Sequence, residues 1–347
     1  MSSEAGDLQL PVTLGIDVGG TKVLGLAVDA SGEVLDDVRL PTPASGGAPQ
    51  SDSAREELLE VMATVVTQLT ARVGLPPHSP PPRVGVGVPG LVDDAGVLRL
   101  APNLPVGTGL DIASLLSERL GGSPVVVDND ATCAMVGEWA YGAAAGTSDA
   151  LMITLGTGIG GGIVTDGRVM RGTNGFAGEA GHMVVNPAGP TCPCGRRGCW
   201  ERYASGSGLR RLARQAALAG RLSAAVSLAD GDPEAVRPEH VTQAALAGDH
   251  DARAVLEEFG WWLALGLANL AKIVDPETIV VGGGLAAAVR PVLDPVRQAF
   301  DEMMGRCRQR PRVKILLATL GERAGAIGAA IVALGENRYQ AGAPRTR

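Results

Sequence analysis

A strand, a glycine turn and a second strand occur twice in this chain. VTLGIDVGGTKVLGLAVD (residues 12–29) and LMITLGTGIGGGIVTDG (residues 151–167) share that plan, more than a hundred residues apart. Two distant copies of one unit predict two related α/β domains facing each other. The chain has 347 residues, 45% of them hydrophobic, enough for a compact fold to bury on the order of 75% of its unfolded surface.

Around these copies the pattern is α/β throughout. Ser53-Ala54-Arg55-Glu56 has capping-box spacing, and Leu58, Leu59, Met62, Val65, Val66, Leu69 and Val73 recur at helical intervals. PPHSPPPR (76–83) reads as a loop, Val84–Val88 as a strand, and Val125–Val127 as a strand that delivers Asp128, Asn129 and Asp130 before a helix from Ala131 to about Tyr141. Helices follow from 207 to 274, then the strand Thr278–Val281, the turn Gly282-Gly283-Gly284, and a terminal helix from about Glu322 to Leu334, apolar enough for core or interface.

The glycine turns invite two readings that fail. Gly156–Gly161 and Gly85–Gly90 each fit GxGxxG, but the first leads into the β-branched Ile163-Val164 and the second lies within and just beyond a strand, whereas a dinucleotide fingerprint opens a helix. Gly20 is followed by Thr-Lys, so there is no Walker A loop. What remains is a pair of glycine hairpins whose N–H groups can converge on an anion. Asp17, Thr21 and Lys22 on the first offer a magnesium-side carboxylate, a hydroxyl donor and a cation at one phosphate; the plainer alternative is two ordinary tight turns.

TCPCGRRGCWER (191–202) packs three of the five cysteines into eight residues. Cys192, Cys194 and Cys199 with His182, the nearest histidine upstream, make a closed tetrahedral zinc shell, a structural site. A redox pair is the rival reading, weakened because CxC closes only a strained ring and CxxC is absent. A nucleic-acid knuckle lacks interleaved basic and aromatic residues, and a net charge of -7 without a Lys/Arg run argues against nucleic acid or an anionic membrane as partner. The longest apolar run, Trp261–Val274, is too short for a span, and MSSEAGDLQL lacks the marks of a signal peptide. The expected location is the cytoplasm. Cys133 and Cys307 read as buried apolar fillers.

LGIDVGGTK (14–22), LGTGIGGG (155–162), GEAGH (178–182) and CPCGRRGCWE (192–201) together resemble the ROK family of sugar kinases and sugar-responsive repressors. The resemblance implies a two-domain actin-like ATPase (ribonuclease H-like) fold with a central cleft. Its small domain would be residues 12–130 completed by a terminal helix at about 320–336, its large domain 131–319 with the zinc segment 182–199, and residues 1–11 a disordered tail. It further implies ATP with Mg²⁺ on the glycine turns, Gly19, Gly20, Thr21 and Lys22 with Gly156, Thr157 and Gly158, and Gly282, Gly283 and Gly284 near adenosine. It assigns the same four ligands to structural Zn²⁺. Sugar hydroxyls would meet Glu179, His182, Glu201, Asn103, Asn129 and Asp130. Asp130, which by position alone serves equally as helix N-cap or active-site carboxylate, becomes the general base.

The implied activity is glucose 6-phosphorylation by ATP, with N-acetylglucosamine or N-acetylmannosamine kinase as the alternative and a polyphosphate-dependent enzyme behind both. A repressor of the same family is the remote alternative, because about eleven residues before the first strand are too few for a DNA-binding domain. Val106-Gly107-Thr108-Gly109 stands where relatives commonly place Gly-Trp, which bears on the rim of the sugar pocket. A homodimer or homotetramer is implied by resemblance alone.

Overall fold

The computed structural model describes residues 12–43, 52–74, 82–101, 104, 106–305 and 310–335. The expected tail, Asn103, Cys307 and residues 76–81 of the proline loop lie outside the described residues. Two compact units divide the chain: the first holds residues up to Tyr141, Arg171–Phe176 and those from Arg323 on, the second Gly142–Met170 and Ala177–Glu322.

In the first unit, β1 (Thr13–Val18), β2 (Lys22–Val28) and β3 (Val34–Pro41) form an antiparallel meander. Helix α1 (Asp52–Arg72) leads to β4 (Arg83–Val88), a short ribbon of β5 (Leu91–Val92) and β6 (Leu98–Leu100), helix α2 (Ile112–Arg119) and β7 (Val125–Asn129). The sheet order is β3-β2-β1-β4-β7, with β1, β4 and β7 parallel. Leu58, Leu59, Met62, Val65, Val66 and Leu69 of α1 are buried, as their spacing predicts. The capping box is not formed: Ser53 lies inside α1 and its hydroxyl donates to Glu57 Oε1 at 2.9 Å.

Helix α3 (Asp130–Tyr141) stays with the first unit rather than opening the second, because it packs on the C-terminal helix Ala324–Leu334. That contact is backbone on backbone. A Cβ at Gly328 would stand 1.7 Å from the Cys133 carbonyl oxygen, and one at Gly85 of β4 would stand 1.8 Å from that of Ala329. A run of Ala and Gly is what such an approach requires, so the apolar C-terminal helix is core.

The second unit repeats the plan. Strands β8 (Ala150–Leu155), β9 (Ile159–Thr165) and β10 (Arg168–Val169) form a meander, and β11 (Thr278–Gly282) and β12 (Lys314–Leu317) add parallel to β8, in the order β10-β9-β8-β11-β12. Its helices are α4 (Glu201–Ala204), α5 (Gly206–Leu218), α6 (Ser223–Leu228), α7 (Pro238–Leu246), α8 (His250–Val274), α9 (Ala286–Val289) and α10 (Leu293–Met304). Phe259, Leu263 and Leu267 of α8 meet Ile153, Ile279 and Val281 of the sheet in one buried cluster. The apolar run from Trp261 is part of α8, and among the described residues no helix is long and apolar enough to cross a membrane.

Candidate active site and metal centre

Both glycine turns join antiparallel strands without the left-handed backbone of a type I′ hairpin: none of Gly19, Gly20, Gly156 and Gly158 has a positive φ. A Cβ at Gly20 or Gly156 would meet no protein atom within 4 Å. At Gly20 and Gly156 neither backbone strain nor internal packing explains the glycines. They leave the turn surfaces bare, which fits close approach by a phosphate. The first turn is held by the Gly19 N–H to Lys22 O bond (2.8 Å) and by Thr42, whose hydroxyl donates to Gly19 O (2.6 Å).

On the second, the Gly206 N–H at the start of α5 donates to Gly156 O (2.8 Å), and the Leu285 N–H donates to Leu155 O (2.9 Å). The turn Gly282-Gly283-Gly284 thus docks beside Gly156, with Gly283 left-handed at φ 84°. A groove of about 620 Å³ runs from Gly156 and Thr157 past Ser207 and Leu285, lined by Arg202, Arg210, Arg211 and Arg214. Those arginines were missed in the sequence, although Arg210 and Arg214 lie one turn apart on α5.

Asp17 ends β1 with its carboxylate against Gly325, in the first turn of the C-terminal helix. Burial, with the negative charge of Asp130 added and Lys22 pulling back, raises its pKa to about 7. The Asp17 and Asp130 carboxylates repel one another, and carboxylate oxygens are the ligands Mg²⁺ takes, so the residues fit the ion. At the end of β7, Asn129 caps α3: its Oδ1 accepts the Ala131 and Thr132 N–H groups at 2.9 and 3.0 Å, and its Nδ2 donates to Gly90 O at 3.0 Å. Asp130 Oδ1 also accepts the adjacent Ala131 N–H, at 2.8 Å. Asp128 is bound by Arg171. The Val106–Gly109 segment turns through left-handed Gly107 and Gly109, and Arg55 Nε donates to Val106 O at 2.7 Å.

In the second unit, one ligand atom from each of His182, Cys192, Cys194 and Cys199 falls within 4.8 Å of the others. Cys194 Sγ lies 3.6 Å from Cys199 Sγ, and His182 Nδ1 lies 3.8 Å from Cys192 Sγ. Sulfurs at the corners of a zinc tetrahedron are about 3.8 Å apart for Zn–S bonds near 2.3 Å, so the four residues fit the ion. Burial pushes the thiols of Cys192 and Cys199 up; Cys194 is held below its usual value because the Arg196 N–H and the other thiols outweigh its burial. Binding a metal therefore expels protons.

The cluster sits on a rigid base. Trp200 is fully buried, its Nε1–H donates to Trp262 O at 2.8 Å, and its ring lies where a Cβ on Gly266 would be. Trp200 thereby fixes Cys199 before it and Glu201 after it. Glu201 Oε1 accepts from Cys192 Sγ (2.9 Å), while Oε2 lies 2.6 Å from where a Gly158 Cβ would stand, so this carboxylate bridges the metal cluster and the glycine turn. His182 Nε2 lies 3.7 Å from Glu179 Oε2. Burial raises the Glu179 pKa, opposed by His182.

Two copies of one mixed sheet, each with a bare glycine turn at its first hairpin, define an actin-like ATPase fold. The ROK family matches residues 13–336, and this chain belongs to it. A glucokinase of Streptomyces coelicolor is 37% identical over 325 residues, 93% of this chain and 97% of the relative. An N-acetylmannosamine kinase of Escherichia coli is 32% identical over 332 residues, 93% of this chain and 99% of the relative. Among solved structures, a ROK family glucokinase from Streptomyces griseus in complex with glucose and AMPPNP is similar at TM-score 0.79 and 37% identity, covering 92% of this chain and 98% of that one.

Proposed function

We propose that the chain is an ATP-dependent hexose kinase that phosphorylates glucose at its 6-hydroxyl. Similarity along nearly the whole chain to a glucokinase bound to glucose and AMPPNP supports it. The observation that carries the mechanism is the division of labour at β7, where Asn129 caps α3 through the Ala131 and Thr132 N–H groups and Asp130 shares the first of them.

Phosphoryl transfer needs positioning, charge neutralisation and a proton acceptor. Asp130 takes the proton of the sugar hydroxyl as its oxygen bonds to the γ-phosphorus and the bond to the ADP oxygen breaks, a role worth roughly 10²–10⁴-fold. The N–H groups of Gly19 and Gly156 are bonded within their turns, so phosphate oxygens fall to the other N–H groups of the two turns, and Lys22 adds a cation. Asp17 would hold Mg²⁺, which when bound would supply charge neutralisation at the phosphates. Glu179 and Glu201 accept hydroxyl hydrogen bonds from the sugar, each oriented by the chain around the zinc ligands His182 and Cys199. Asn129 has one amide hydrogen left for the sugar beyond its bond to Gly90.

N-acetylmannosamine phosphorylation is the second reading, favoured by the E. coli relative. Coupled measurement of ADP release with glucose, mannose, N-acetylglucosamine and N-acetylmannosamine at matched concentrations tests both. The highest kcat/KM is expected on glucose; a preference for an acetamido sugar overturns the glucokinase assignment and keeps the catalytic roles.

A further inference from the structure

Among the described residues the chain passes between its two units four times, and one excursion is very short: Arg171–Phe176 packs with the first unit, while β10 before it and Glu179 and His182 after it belong to the second. Both ends of this excursion are pinned. At its first residue, Arg171 Nε and Nη2 both donate to Asp128 Oδ2, at 2.9 and 2.5 Å. The other Asp128 oxygen accepts the Asn129 N–H at 2.8 Å, and the Asp128 side chain is only 8% exposed. Further along, Gly175 is left-handed at φ 85°, and a Cβ there would stand 2.6 Å from Val92 O. Just beyond the excursion, Gly178, at φ 98°, is locked on β9, where a Cβ would stand 2.4 Å from Gly161 O. Glu179 follows directly.

A buried ion pair is weak support for stability, since apolar residues of the same volume often serve as well. What a guanidinium with two N–H groups on one carboxylate supplies is direction. Here the direction is set two residues before Asp130 at one end and eight residues before Glu179 at the other. We propose that Asp128 and Arg171 are positioning residues for phosphoryl transfer. Their ion pair, made within the first unit, fixes the segment 171–176 to the strand end that carries Asp130. The proposal rests on the hexose kinase reading and adds to it two residues that need touch neither substrate.

The test compares the full-length wild type with Asp128→Asn, Arg171→Lys, Arg171→Met and the double variant Asp128→Asn/Arg171→Met. It measures kcat and KM for glucose and for ATP, zinc per chain and the Tm. Each of Asp128→Asn and Arg171→Met should lower kcat/KM for glucose by roughly 10–100-fold, the scale of a 1 Å misplacement. KM for ATP and zinc content should stay within about twofold of wild type. Arg171→Lys should recover part of the loss, and the double variant should be no worse than either single one, because the pair acts as a unit. It also removes the unpaired buried charge that could unfold Arg171→Met. Variants that lose only Tm, or a double loss equal to the product of the single ones, would overturn the proposal. A wild type that phosphorylates no hexose overturns the kinase reading and this proposal together; an active wild type whose variants keep their kcat/KM overturns the proposal alone.

Discussion

Asn129 and Asp130 divide two tasks: either side chain could cap the helix, but only the carboxylate can take a proton. With the cap assigned to Asn129, Asp130→Asn should leave α3 and sugar binding intact while turnover falls by roughly 10²–10⁴-fold. Glucose titration against intrinsic fluorescence, beside steady-state kinetics, checks this; near-normal kcat would remove Asp130 from the base role. Asp17 makes a prediction about pH. Its carboxyl rises from 3.8 to about 7 on folding, so between those values the folded chain binds more protons than the unfolded one and stability declines as pH rises. Without nucleotide or divalent cation, Asp17→Asn should raise the Tm at pH 8 and have little effect at pH 4. A Tm difference that does not change with pH would refute the assignment. The sequence alone could not separate the roles of Asn129 and Asp130, since both types cap helices and both bind sugars; only the hydrogen-bond directions distinguish them.

At the scale of elements, the duplicated turns and the cluster of His182 with Cys192, Cys194 and Cys199 were legible, because glycine runs and cysteine spacing are local signals. The C-terminal helix was legible as apolar but not as to where it packs, for its Ala-Gly composition serves core and interface alike. Its contact with α3 predicts that Gly328→Val is among the most damaging single changes in the chain. Overpacking costs about 1–3 kcal/mol in an adaptable core and more here, where the obstacle is the Cys133 carbonyl rather than a side chain. Thermal unfolding of Gly328→Val should show a large fall in Tm or no folded protein, and a fall of under 2 °C would show the helices can part. Trp200 escaped sequence reading because a tryptophan beside a cysteine motif has no distinguishing neighbour, and its partners Trp262 and Gly266 lie more than sixty residues away. The arginines of the α5 groove escaped for the opposite reason: charged residues on a helix are ordinarily a solvated face.

For the molecule as a whole, the four residues that could hold the metal all belong to the second unit. One zinc per chain is expected by elemental analysis. Chelation should lower the unfolding temperature of residues 142–322 and leave protection of the 12–141 sheet largely unchanged in hydrogen exchange. Equal loss of protection in both units would show that the clip stabilises more than its own unit. The crossings between units were not readable from periodicity, since the six residues 171–176 carry no pattern of their own.

The packing of the C-terminal helix on Gly85 also sets an order of events in time. Strands β1 and β4 leave the ribosome long before the helix at Ala324–Leu334, with some 235 residues made between Val88 and Ala324. At 5–20 residues per second that is roughly twelve to forty-seven seconds. Through that interval one face of the first sheet lacks its cover, and the last strand of the second unit, β12, is made only just before the helix arrives. The first sheet to be translated is thus the last to be covered.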